Sequence, residues 1–282
     1  MRTSSIFSFP LQYFFHLQVT QVGDDAEWRA QPLSNDELLQ RILENGQRIS
    51  PIFTIPWVTS RIFRKDWLHC ADQGIAVEFL GNLFHYLRGK FAGSVKVRTA
   101  RLWERVQNFY EAKNVQDRLQ TLTPSMIKMD KKGPALRSSA AQCRALVPFA
   151  LEIAQELLSP AEPKEQAMIA AARHFRNCYD ALSSTSIFFA DILREESKKF
   201  ALQYIALRAV ETNDQLWKCK PKLHLFVELC SEGSRPATFW TYRDEDFGGS
   251  VAKMSKRRGG QKRHPSLLFQ YLDAILDQEP CY

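Results

Sequence analysis

Apolar residues recur along most of this chain at helical spacing, interrupted by short proline- and glycine-rich breaks. Ser34-Asn35-Asp36-Glu37 predicts a helix start, with Ser34 as the cap and Glu37 at the capping-box position three residues on. Leu38, Leu39, Ile42 and Leu43 form its apolar face, and Asn45-Gly46 ends it. The proline-bounded run Pro51-Ile52-Phe53-Thr54-Ile55-Pro56 reads as extended, and Val77 to Leu87 as an apolar helix. From about Thr99 to Glu211 nearly everything reads helical. Leu102, Trp103, Val106, Phe109 and Tyr110 share one face, and a second helix is expected after Thr123-Pro124. Ala140–Leu158 reads as a long helix with a kink at Pro148, and two more helices are expected around Glu165–Ser183 and Ser186–Glu211. Lys131-Lys132-Gly133-Pro134 and Ser159-Pro160-Ala161-Glu162-Pro163 are the breaks. The last third changes character, with an apolar segment Leu223–Cys230, a loop over Ser231–Pro236, and then Thr238–Gly249 rich in aromatic and acidic residues.

Composition narrows the class. With 282 residues, 45% hydrophobic and 24% charged, the chain is long and apolar enough for a sizeable core. Six cysteines at 70, 143, 178, 219, 230 and 281 form no CxxC pair, which fits reduced thiols rather than a disulfide framework. No run reaches the ~18 apolar residues of a membrane span. The aromatic run Ile6–His16 lacks a clean small-residue cleavage site and reads as an extra strand, or as the sequel of a start inside a longer protein. A net charge of +7 matters for where it lies: Lys253, Lys256, Arg257, Arg258, Lys262, Arg263 and His264 fall close together. Such density suits phosphate contacts, and equally suits a solvated helix end.

Two stretches carry candidate chemistry. In Lys65-Asp66-Trp67-Leu68-His69-Cys70-Ala71-Asp72-Gln73-Gly74-Ile75, a carboxylate at the end of a strand with a His three residues on is a metal-site layout. The same residues also serve as a helix cap, with Asp66 accepting backbone N–H groups. Asp244-Glu245-Asp246, beside Trp240 and Tyr242 and ahead of the basic stretch, either caps a helix or binds a divalent cation. A zinc site drawn from His69, Cys70, Cys219, His224 and Cys230 is a rival, set against core packing of one apolar segment. No cysteine stands in the Gly-rich exposed turn that nucleophilic catalysis favours.

The pattern Asp66-x-Leu68-His69-x-x-x-x-Gly74 resembles the second catalytic aspartate segment of DDE-type, RNase H-like transposases of the CACTA and Plavaka/Zisupton kind, with Leu68 in place of Met. Lys220-Pro221-Lys222-Leu223-His224 is similar to their Lys-Pro-Lys-x-His segment. Trp240-Thr241-Tyr242-Arg243-Asp244-Glu245-Asp246 resembles the segment holding their last catalytic glutamate, which places that acid on Glu245. The helical block between them matches an all-α insertion.

The resemblance implies an α/β, mostly helical chain with a partial RNase H-like sheet. That sheet would be built from the N-terminal third and the Lys220–Tyr242 segment as extended stretches, within core parts 1–98 and 216–282, with a helical insertion over 99–215. It implies Asp66 ending a central strand and Glu245 in or just before a helix, the two carboxylates converging to hold Mg2+ or Mn2+, with His69 and His224 behind them. DNA is the implied partner, with Lys253, Lys256, Arg257, Arg258, Lys262 and Arg263 on its backbone. The nucleus is the implied location, and self-association is compatible with it. The family's first catalytic Asp has no match beyond Asp24 and Asp25. A C-terminal portion of a transposase, or a decayed copy, is therefore expected, and a non-catalytic nucleic-acid-binding or helical interaction protein is the alternative.

Overall fold

The computed structural model describes residues 20–23, 25–26, 34–59, 64–127, 129, 133–183 and 188–257. The chain divides into two compact units, Met1–Trp240 and Thr241–Tyr282. Among the described residues there are eight α-helices and no strand. The first unit holds α1 (Asn35–Glu44), a π-helical turn (Leu68–Ile75) continuing into α2 (Ala76–Leu87), α3 (Val95–Ala112), α4 (Ala140–Leu157), α5 (Pro163–Ser183), α6 (Ala190–Val210) and α7 (Pro221–Ser231). The second holds α8 (Tyr242–Arg257).

Local sequence explains most boundaries. Ser34 accepts from Glu37 N while Glu37 Oε2 takes the Ser34 N–H at 2.8 Å, the reciprocal pair that satisfies two orphan donors. Ser139 and Gln142 repeat the device at the start of α4. Ser94 caps α3, and Pro221 starts α7 at a position where no amide hydrogen is needed. Only Ile42 of α1 is buried, and Leu43 is exposed.

One core gathers residues from the π-turn, α2 to α7 and Trp217. Its centre is aromatic. Phe175 and Phe200 stack at 4.4 Å, Phe79 meets both edge-on at 5.6 and 5.5 Å, and Phe226 meets Phe175 at 5.7 Å. Each such pair adds about 0.5–1.5 kcal/mol beyond its buried area. The helical block over 99–215 and the Asp66–Gly74 and Lys220–His224 segments on either side of it therefore share a single interior. Among the described residues, no helix is long and apolar enough to cross a membrane.

Three expected extended segments are helical instead. Pro51–Thr54 is a 3-10 turn, because Ser50 caps it and Thr54 Oγ1 donates back to Pro51 O at 2.7 Å. Asp66 does not end a strand; it stands immediately before a helix and caps it. Leu223–Cys230 lies inside α7, so the Lys220–Tyr242 segment supplies no strand of an RNase H-like sheet. Short apolar runs fit a buried helix as well as a strand, and here the core is built of helices. The helix expected after Thr123-Pro124 is the single 3-10 turn Pro124–Ile127. The aromatic run near the N-terminus, Asp24 and the expected helix start at Ser186 lie outside the described residues.

Close backbone approach makes two glycines informative. A Cβ on Gly81 would lie 2.5 Å from the Ala135 Cα, since the 133–139 segment crosses α2 there and Leu136 N donates to Val77 O at 2.9 Å. Gly89, by contrast, faces open space. Gly81→Ala should cost about 1–3 kcal/mol in urea unfolding, whereas Gly89→Ala should change stability little. Equal, small effects would show that this crossing is not held.

Glu165 ties the loops together. Its carboxylate takes hydrogen bonds from Tyr86 Oη at 2.7 Å, from Ser159 N at 2.7 Å and from Lys90 Nζ. Burial opposes its ionisation, but Lys90 and the other donors outweigh that and bring its pKa from 4.5 to about 2. A depressed carboxylate pKa adds stability that is complete above pH 4.5 and is lost as pH falls toward about 2. Glu165→Gln should flatten the stability profile across that window, and an unchanged acid limb would contradict it.

Candidate functional site

The motif segment forms the N-terminal end of the helix that becomes α2. Asp66 accepts the His69 N–H at 3.0 Å and contacts His69 Nδ1 at 2.6 Å through the same oxygen, Oδ2. The ring donates when Nδ1 carries the proton. Trp67 follows, fully buried, and its ring meets Phe226 of α7 at 5.6 Å and Tyr179 of α5 at 5.5 Å. Trp67 Nε1 is buried with no acceptor among the described residues.

The next residues wind as a π-helix, a wide turn seen often at functional positions. The wide winding brings the His69 carbonyl to 2.8 Å from where a Gly74 Cβ would lie, so the position requires glycine. Lys222 from α7 lies across the same spot, its Cδ at 2.9 Å from that Cβ position and its Nζ donating to Gln73 O at 3.1 Å. Lys220 pairs with Glu78 at 2.9 Å. The two motif segments, 149 positions apart at Gln73 and Lys222, are thus in direct contact.

Charge around this end is mixed. Lys65 pairs with Glu232 at 2.8 Å, and Arg64 donates to Ser234 Oγ at 3.1 Å while lying over the Phe239 ring at 5.0 Å. Burial pushes the Cys70 thiol up to about 11 and Cys219 likewise, and raises Cys143 to about 12. Cys178 and Cys230 are raised by burial as well, so these thiols stay protonated at neutral pH and are poor nucleophiles. Asp72, fully buried, accepts from Tyr179 Oη at 2.5 Å. Neither residue was singled out in the sequence, because nothing local distinguishes a buried Asp inside a π-turn from a solvated one.

Glu245 occupies the first turn of α8 in the second unit, beside Asp244, where the helix dipole favours carboxylates. Its amide donates to Thr241 O at 2.9 Å, the first turn of that helix. Its expected place in a helix is what the chain adopts. Lys253 is exposed on α8, which also carries Lys256 and Arg257; Arg258, Lys262, Arg263 and His264 lie outside the described residues. Asp25 is exposed in a turn. His224 is buried on α7, inside the core rather than on an open metal site. Among the described residues no three His, Cys, Asp or Glu side chains are grouped to hold a metal, which leaves the zinc set of His69, Cys70, Cys219, His224 and Cys230 ungathered.

Compared with known proteins, the chain matches no family model, no curated protein and no solved structure.

The capping role of Asp66 has a measurable size. Asp66→Ala should cost about 0.5–2 kcal/mol of stability, while Asp66→Asn, itself a good cap, should cost less. Denaturant unfolding of the two variants checks this. Equal losses would assign the stabilisation to the carboxylate charge on His69 instead.

Proposed function

We propose that the chain is the C-terminal portion, or a decayed descendant, of a DDE-type RNase H-like transposase catalytic domain, and that it binds DNA in the nucleus. The observation that carries this reading is the contact of the Lys220–His224 segment with the Asp66–Gly74 segment across a long helical excursion. Two segments that resemble stretches of one family are thereby held side by side, and under this reading the helical block between them corresponds to the family's insertion. Under this reading Asp66 and Glu245 are the second and third acids. Each carboxylate by itself is the kind of oxygen ligand that Mg2+ or Mn2+ takes, and such ions stabilise charge on a phosphodiester in two-metal chemistry. The chain's own residues supply the frame: Asp66 is oriented by His69, and α8 carries the acid and the cations on one helix. The partial RNase H-like sheet belongs to this proposal only.

Binding without cleavage is the expected behaviour. Two-metal chemistry needs ions roughly 3.5–4 Å apart, each with several oxygen ligands, and two acids supply too few. The purified chain should not nick supercoiled DNA at an appreciable rate with Mg2+ or Mn2+. Metal-dependent nicking that disappears in both Asp66→Asn and Glu245→Gln would overturn this and reveal a third acid.

DNA affinity should fall linearly with salt on a log–log plot. Replacing Lys253, Lys256 and Arg257 with Ala should flatten the slope by about one unit per lost phosphate contact. A slope that stays the same would assign those residues to a solvated helix end. Failure of the native chain to bind duplex DNA at all would favour a helical interaction protein.

A further inference from the structure

The first unit carries a cationic elbow that neither the motif segments nor α8 uses. α2 ends in the 3-10 turn Arg88–Lys90, and α3 begins at Val95, so two helix ends meet within a few residues. Arg88 Nη2 donates to His85 Nδ1 at 2.9 Å, which requires that nitrogen to be unprotonated. Burial and the Arg88 charge both push the His85 pKa down, consistent with a neutral ring. Arg98 of α3 donates through Nε to Gly93 O at 2.6 Å. Its terminal nitrogens meet no partner among the described residues.

The two guanidiniums feel each other. Burial lowers the Arg88 pKa first, and the positive charge of Arg98 lowers it further. Arg101, exposed, follows Arg98 on the same face of α3, and Arg105 extends the row but is paired with Glu156 at 2.9 Å. From Arg98 to Arg105 the row runs about 10 Å at 1.5 Å per residue. Lys90 is paired with Glu165, Lys164 with Glu211 and Lys113, just past the far end of α3, with Glu152, while the exposed Lys96 adds another cation beside Arg98. Arg88, Arg98 and Arg101 have no carboxylate partner among the described residues.

We propose that Arg88, Arg98 and Arg101 form a second contact surface for the phosphate backbone of DNA, on the first unit and distinct from the basic stretch of α8. Like charges held together raise the energy of the free protein, and an anion between them relieves it. Guanidinium forks match phosphate oxygens in two-bond geometry. Arg98 and the exposed Arg101 stand one turn apart along α3, a linear spacing that suits a continuous backbone better than a free phosphate ion. The surface rests on the DNA-binding reading and extends it to the helical block.

The test is fluorescence anisotropy of the full chain with a short duplex across a range of salt. Arg98→Gln with Arg101→Gln should reduce the log–log slope by about two units, at ~0.9 per lost phosphate contact. A pair of equal charge loss on α6, Arg194→Gln with Lys199→Gln, should leave the slope as it was. Arg101→Gln alone, on an exposed helix position, should lower it by about one unit without touching the Arg98 contact to Gly93. Arg98→Lys with Arg101→Lys should retain it. A native slope in the α3 pair, with the native chain binding DNA, overturns this surface and leaves the broader reading standing. An equal fall in both Gln pairs would show a general charge effect and also overturns it. No binding by the native chain overturns both.

Discussion

The seating of α7 on the π-helical turn is the contact through which the distant parts of the first unit become one core. Lys222 contributes at both of its ends: its stem lies over Gly74, and its ammonium satisfies the Gln73 carbonyl. A π-turn is a rare winding, and here several neighbours hold it. Lys222 donates to Gln73 O, Gly74 leaves room for the His69 carbonyl, and the Tyr179 hydroxyl donates to Asp72. Trp67 and Phe226 then fill the space beneath, and the stacked Phe175 and Phe200 extend the same aromatic layer into α5 and α6. The path from α3 through α6 is an excursion whose return point is fixed by α7.

That arrangement also sorts the charges. Carboxylates that anchor loops, Glu165 and Glu211, are mostly buried and matched with lysines. Asp66 is engaged by its own helix through the amide and ring of His69. A cap of this kind keeps the carboxylate in a defined rotamer, which serves helix start and ligand holding alike. Among the described residues, Arg88, Arg98 and Arg101 at the α2–α3 elbow have no carboxylate partner.

Much of this was legible in the residues. Ser34 with Glu37, the Asn45-Gly46 stop, and the Ser159–Pro163 break are local chemistry, and α1, α4 and α5 start or stop close to where that chemistry places them. The strand readings failed for a common reason. Pro51–Pro56, Asp66 and Leu223–Cys230 are short, and periodicity over so few residues does not separate strand from helix. Pro221 at a helix N1 position is the local signal for α7. The π-turn was out of reach, because its winding depends on Lys222, Tyr179 and Gly74 meeting in space. So was the Arg88–Arg98 proximity, which needs the angle between two helices.

The account stands on the Trp67–Phe226 contact linking the π-turn to α7, and a double-mutant cycle measures it directly. Trp67→Leu, Phe226→Leu and the double variant would be unfolded in urea and compared with the native chain. An edge-on aromatic pair in a shared core predicts a coupling of about 0.5–1.5 kcal/mol, with the double variant less destabilised than the sum of the singles. A coupling near zero, with additive losses, would contradict the contact and with it the claim that the two motif segments share one core.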